Sequence, residues 1–306
     1  MTLERAFAFI VAVGTALAAT ASQQDVVPPV LSVHTDLVTL PVTVVDPQGG
    51  FVTGLRQEHF TVYDNGQPQH IEFFSTDDLP VTVGLVIDCS ASMQSKRTEI
   101  AAAVTAFAAM SHPLDEFFTV NFNEHVWLGL APPLAFTQDA DQLRAALARA
   151  PSAGMTALHD GVDRGLAHLR NGTRDRQALI VVSDGGDNAS VHTVEEVVEQ
   201  ARMAGAPIYS VTVFDPNDHT VRPRLLKTLA RETGGRVFTP RNTAEVMAAF
   251  AQIAREIRIG YTIGFVPAET TAASFHVLRV VVDTGTRRGL TARTRGGYYA
   301  GPRSSR

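Results

Sequence analysis

Through the middle of the chain, short continuous apolar runs alternate with apolar stripes at helical spacing. Residues 81–87 are apolar except for Thr82 and Gly84, and residues 178–182 are apolar throughout. Unbroken runs of this length predict strands buried on both faces of a parallel sheet. Residues 117–122, 208–213 and 236–239 predict further strands. Between them, residues 98–110 place Ile100, Val104 and Phe107 on one helical stripe. Val194, Val197, Val198 and Ala201 form another stripe, stopped by Gly205 and Pro207. Residues 140–150, 157–170, 225–233 and 243–259 also read as helices, and Gly234-Gly235 closes the third of these. Residues 126–130 follow the 117–122 strand after the turn Asn123-Glu124-His125, so that pair reads as an antiparallel hairpin. The alternation predicts an α/β fold: a doubly wound, mostly parallel, Rossmann-like sheet with one antiparallel edge strand and helices on both faces.

The flanks follow a different period. Val38, Leu40, Val42 and Val44 alternate along residues 37–45, and a turn follows at Asp46-Pro47-Gln48-Gly49-Gly50. Strands are predicted at 59–63 and 70–74, with Asp64-Asn65-Gly66 as the turn after the first. Beyond the last helix, residues 261–266, 275–283 and 290–294 read as strands, with His276, Leu278, Val280 and Val282 on one face. A three-stranded piece is marginal alone. The two flanks are therefore expected to pair into one β-sandwich, with the α/β domain inserted between them.

The N-terminus reads as an export signal: one Arg within residues 1–5, an apolar run over 6–19, and the small residues Ala19-Thr20-Ala21. The mature chain would begin near Ser22. The run is shorter than the ~20 residues of a membrane span, and no later stretch is apolar enough to span. The expected organisation is a signal at 1–21, a β-rich segment at 22–79, the α/β domain at 80–258, a second β segment at 259–300 and a tail at 301–306. Export to the periplasm, cell surface or medium follows.

Composition adds two limits. A net charge of −5 over 306 residues gives no overall attraction to nucleic acid or an anionic membrane. The arginines near the end (Arg287, Arg288, Arg293, Arg295, Arg303, Arg306) read as a solvated strand face and tail. With Cys89 as the single cysteine, an intramolecular disulfide is ruled out. Cys89 reads as a small buried apolar group rather than a nucleophile.

The candidate chemistry lies where strands end. The 81–87 run leads into Asp88-Cys89-Ser90-Ala91-Ser92, and the 178–182 run into Ser183-Asp184-Gly185-Gly186. Gly154-Met155-Thr156 opens the helix at 157–170 and adds another hydroxyl. Ligands of open α/β sheets bind at the C-terminal ends of the strands. Asp88, Ser90, Ser92, Thr156 and Asp184 offer only hard oxygen donors. That set suits Mg²⁺, with Mn²⁺ or Ca²⁺ as alternatives, and does not suit zinc or copper. A plainer alternative has Ser90 or Ser92 simply capping the next helix.

Taken together, the three stretches resemble the von Willebrand factor A domain and its metal-ion-dependent adhesion site, over roughly residues 80–258. The resemblance implies that Ser90, Ser92 and Thr156 face a divalent cation directly or through water. It implies that Asp88 and Asp184 act on the ion directly or through an intervening water. It implies neighbouring strands for Asp88 and Asp184, and an open coordination position completed by an Asp or Glu of a protein partner. The order of segments also resembles exported bacterial proteins of this class. Their lead pattern reads here as Val52-Thr53-Gly54-Leu55, then Phe60-Thr61-Val62-Tyr63-Asp64-Asn65-Gly66, and the tail as Arg295-Gly296-Gly297-Tyr298-Tyr299-Ala300.

Two other functions compete with metal-dependent binding. A Mg²⁺-dependent hydrolase would use the same ion to activate water, with His159 and Asp160 as acid–base groups. No Gly-x-Ser-x-Gly elbow or Gly-rich phosphate loop accompanies it, and Asp160 reads as a first-turn residue favoured by the helix dipole. No enzyme activity is therefore expected. A structural protein binding through its β flanks is the other alternative. Asp187 and Asn188 carry no role readable from the sequence.

Overall fold

The computed structural model describes residues 37–151, 153–213, 224–267 and 274–300. The expected export signal and the 301–306 tail lie outside these residues. In chain order the strands are β1 (Val38–Val45), β2 (Phe60–Asp64), β3 (Gln67–Gln69), β4 (Ile71–Ser75) and β5 (Val81–Asp88). Helix α1 (Arg97–Ala109), β6 (Glu116–Phe122), β7 (Val126–Leu128), α2 (Ala140–Ala148), α3 (Leu158–Leu169) and β8 (Arg176–Ser183) follow. Then come α4 (Val194–Ala204), β9 (Ile208–Thr212), α5 (Arg224–Thr233), β10 (Val237–Phe238) and α6 (Thr243–Arg258). The chain closes with β11 (Tyr261–Phe265), β12 (Ser274–Val282), β13 (Thr291–Arg293) and β14 (Gly297–Ala300).

Six strands form the central sheet in the order β10-β9-β8-β5-β6-β7, and only β7 at its edge runs antiparallel. Every residue of β5 is buried, as the unbroken apolar run requires. Winding reverses between β5 and β8, which are direct neighbours. Their tips therefore frame the crevice at the switch point. Gly84 in β5 permits close packing there, since a Cβ would stand 2.4 Å from Phe118 Cζ and 2.6 Å from Leu179 Cδ1. Helix α4 begins with a capping box, Thr193 with Glu196, and ends at Gly205 in a left-handed conformation.

The flanks do combine. One four-stranded sheet has the order β13-β1-β11-β4 and the other β14-β12-β2-β3, so each mixes strands from both ends of the chain. Leu40, Val42, Phe60, Val62, Ile263, Phe265, Leu278 and Tyr298 share one apolar core between them. Phe60 packs on Tyr261 with ring centroids 4.8 Å apart. The alternation expected of β1 holds, with Leu40, Val42 and Val44 buried, and Phe60 and Val62 of β2 are buried with them.

Strand β3 escapes sequence reading. Gln67-Pro68-Gln69 has no apolar alternation, and proline is tolerated only because β3 is an edge strand. The arginines near the end also need correcting in part. Arg293 forms an ion pair with buried Glu256 of α6 at 3.2 Å. Arg295 donates to the Thr39 carbonyl at 3.0 Å and lies over the Tyr298 ring. Both tie the sandwich together or to the helices rather than facing solvent freely.

Candidate functional site

Asp88 is the last residue of β5, and Ser183 is the last of β8. The parallel register aligns Ile87 with Val182, which brings Asp88 beside Ser183. Ser183 Oγ donates to Asp88 Oδ2 at 2.6 Å, and the Ser90 amide donates to Oδ1 at 2.9 Å. Burial pushes the Asp88 carboxyl up to about 6, the Ser183 and Ser90 hydrogen bonds pull it down, and the Asp184 charge adds to the rise. A buried carboxylate supported only by hydroxyl and amide donors is poised to gain from a nearby cation.

Ser90 precedes a short 3-10 helix at Ala91–Lys96, but its side chain does not cap it. The capping alternative therefore fails. Ser90 Oγ lies 3.1 Å from Ser92 Oγ, and Ser92 Oγ donates to Asp184 Oδ2 at 2.6 Å. The Gly186 amide donates to Asp184 Oδ1 at 2.9 Å. Ser90, Ser92 and Asp184, 94 residues apart at the extremes, thus form one hydrogen-bonded chain, with Asp88 joined to it through the Ser90 amide.

Thr156 enters from a third loop and is held through its backbone. Its amide donates to Asn188 Oδ1 at 2.8 Å, and its carbonyl accepts from the Asn188 and Ala189 amides. The same loop reaches the serine loop through Ala91 N to the Gly154 carbonyl at 3.3 Å and Ala153 N to the Cys89 carbonyl at 3.1 Å. Gly154 has φ +88°, and a Cβ there would overlap Glu124 Oε2 at 1.6 Å. Glu124 also accepts from the Met155 amide at 3.0 Å. Asp88 thus ends β5, and Ser90, Ser92, Thr156 and Asp184 follow on segments that are bonded to one another. Among the described residues, no group of three or more His, Cys, Asp and Glu side chains forms a site on those donors alone. The set here is two carboxylates and three hydroxyl residues, an all-oxygen composition that fits a hard cation.

Several residues were missed by sequence reading. Ser183 reads as a strand residue yet binds Asp88. Asn188 fixes Thr156, and Asp187 accepts from the His159 amide at 3.0 Å and from Ser190 Oγ at 2.5 Å. A single Asp or Asn in a polar loop gives no periodic signal, so only the fold assigns these roles. Cys89 is buried as expected, with its thiol pushed up to about 12 by burial first and by the Asp88 charge second. It is unsuited to nucleophilic chemistry.

Asp160 lies in the first turn of α3, as expected, and its carboxylate also holds the neighbouring loop. Its carboxylate accepts from the Val191 amide, the His192 amide and His192 Nδ1, the last at 2.8 Å. Burial alone would raise its pKa, but these donors outweigh burial and lower it. The Asp160 contact raises that of His192, against a smaller opposing effect of burial. Stability from raised His192 is complete below its unfolded value near 6.5 and fades as pH rises through the folded value. Stability from lowered Asp160 is present above its unfolded value near 3.8 and fades as pH falls through the folded value. The pair contributes most between those limits. Because His192 is exposed, the effect is expected to stay below about 1 kcal/mol. Thermal unfolding followed from pH 6 upward should show a small decline that His192→Gln removes; an unchanged decline in the variant would assign it to another group.

Comparison with known proteins places the fold. The model of the von Willebrand factor type A domain matches residues 82–252. The chain belongs to that family. Two solved structures illustrate the likeness. The von Willebrand factor domain of the type V pili tip protein Mfa5 of Porphyromonas gingivalis is 15% identical, covering 60% of this chain and 96% of that one, with a TM-score of 0.50. A von Willebrand factor type A protein of Catenulispora acidiphila is 13% identical, covering 87% of this chain and 73% of that one, with a TM-score of 0.50. At such identities they show the fold alone. No curated protein matches the chain.

Proposed function

We propose that this protein is a metal-dependent protein-binding module, used in adhesion or assembly, and not an enzyme. The observation that carries the proposal is the Ser90–Ser92–Asp184 hydrogen-bonded chain, joined to buried Asp88 at the sheet's switch point. Ser90, Ser92 and Thr156 would hold a divalent cation, Mg²⁺ first, with Asp88 and Asp184 beside them. The bound ion would supply an electrophilic point able to accept a carboxylate. With neutral hydroxyls as direct ligands and the carboxylates set behind them, the ion would keep an electrophilic face, which favours an anionic partner group. Ser92 is positioned by Asp184, and Thr156 by Asn188, so little ordering is left to be done on binding. The ligand would be an Asp or Glu of a partner protein.

Family membership supports this reading, as does the description of the similar P. gingivalis domain as part of a pilus tip protein. The hydrolase alternative lacks a placed acid–base pair. Asp160 is engaged by the 191–192 loop, and His159 Nδ1 contacts the His192 carbonyl at 2.9 Å. Export agrees with the leader pattern, and among the described residues no helix is long and apolar enough to cross a membrane.

Mn²⁺ as a paramagnetic probe tests the proposal. Water-proton relaxation should report one bound Mn²⁺ carrying exchangeable water, and added glutarate should lower the signal by displacing that water. Asp184→Ala should abolish binding. Absence of a bound ion, or indifference to glutarate, would refute the reading.

A further inference from the structure

Two large apolar side chains stand exposed on the two loops that meet at Thr156, and both are displayed from fixed backbone. Met155 is 54% exposed and directly precedes Thr156. Its amide is held by Glu124 Oε2 at 3.0 Å. Val191 is 88% exposed. Its amide is held by both Asp160 carboxylate oxygens, at 3.1 and 3.0 Å. The loops bearing them are joined through the Thr156 carbonyl and the Asn188 and Ala189 amides. An apolar group on a mobile loop costs ordering entropy when it is covered, whereas one on a pinned backbone has much less to lose. Isolated exposed apolar residues are ordinary, but two fixed ones on adjoining loops at a ligand site form the start of a contact patch.

Charge narrows what can cover them. The carboxylates that pin these loops, Glu124 and Asp160, lie against the Met155 and Val191 backbone itself, and Asp163 stands 3.9 Å from His192 Nε2. His192 faces Asp160 and Asp163 and offsets part of that charge. A partner rich in acidic residues would meet repulsion from these carboxylates, while a single carboxylate could still reach the ion.

We infer that the partner presents one Asp or Glu flanked by large apolar side chains, the acid reaching the Ser90–Ser92–Asp184 cluster and the apolar groups covering Met155 and Val191. This rests on the binding reading above and names the partner's chemistry.

The test uses a library of cyclic peptides bearing one fixed Asp, displayed on phage, bound to the whole chain in Mg²⁺ and eluted with chelator. Apolar residues should be enriched next to the fixed Asp, and second acids should be depleted. Met155→Ser/Val191→Ser should weaken the selected peptides by ~10-fold or more while keeping the metal-dependent rise in unfolding temperature. Both side chains are exposed, so the double variant should fold, and its unfolding midpoint verifies that. Equal affinity for the double variant, or acid-rich peptides without apolar neighbours, would overturn the inference and leave the binding reading intact. Recovery of no chelator-eluted peptide would overturn both.

Discussion

Asp184→Ala is expected to leave the protein folded and to erase its thermal response to Mg²⁺. An ion at a hundred times its dissociation constant adds about 2.7 kcal/mol to the native state. For a chain of this size that is a rise of roughly 5 °C. In chelator the order should close up or reverse. The substitution loses the 2.6 Å hydrogen bond from Ser92 but also removes a charge that adds to the rise which burial imposes on the Asp88 carboxyl. Two buried carboxylates without a cation repel each other, so losing one costs little there. Unfolding curves of both proteins, with and without ion, check this. A variant that is several degrees less stable in chelator and still responds to Mg²⁺ would make Asp184 a structural residue. A wild-type protein that responds to no divalent ion would remove the metal from the account.

The second large effect is expected far from the site, at the tie between helices and sandwich. Glu256 on α6 is 1% exposed and pairs with Arg236 at 3.0 Å and with Arg293 of β13 at 3.2 Å. Removing a buried partner leaves the remaining charges uncompensated, at a cost of about 3–5 kcal/mol. Arg236 and Arg293 retain some solvent access, so Glu256→Ala should fall at the lower end, about 3 kcal/mol. Urea unfolding measures it. The double change Arg236→Met/Arg293→Met on top of Glu256→Met should recover much of the loss, because an apolar replacement carries no desolvation penalty. A loss below about 1 kcal/mol would mean that water screens the cluster as it does surface pairs.

Much of the fold was legible because burial writes itself into local patterns. The middle of β5 and of β8 is covered on both faces, so Leu85–Ile87 and Ala178–Val182 are unbroken apolar runs. In β1 and β2 only one face is covered, and the alternation survives. The candidate site was legible for a related reason. Where an apolar strand ends abruptly in Asp, the carboxylate has to lie at the sheet edge, and Asp88 and Asp184 both stand there. The edge strand β3 was not legible, because an exposed three-residue strand containing proline buries nothing that would pattern it. Nor were the supports. Ser183, Asn188, Glu124 and Asp160 act by hydrogen bonds to residues distant in sequence, and such contacts leave no period.

The sequence by itself determined the class of fold, the inserted position of the α/β domain, and the oxygen-donor residues at the strand tips. It did so because apolar burial and strand termination are local properties of the chain. Tertiary structure alone decided that Ser92 meets Asp184 rather than capping a helix, that Asn188 holds Thr156, and that Arg293 pairs with Glu256. Those outcomes depend on which strands become neighbours and in what register, and neighbour choice is fixed by the packing of the whole sheet.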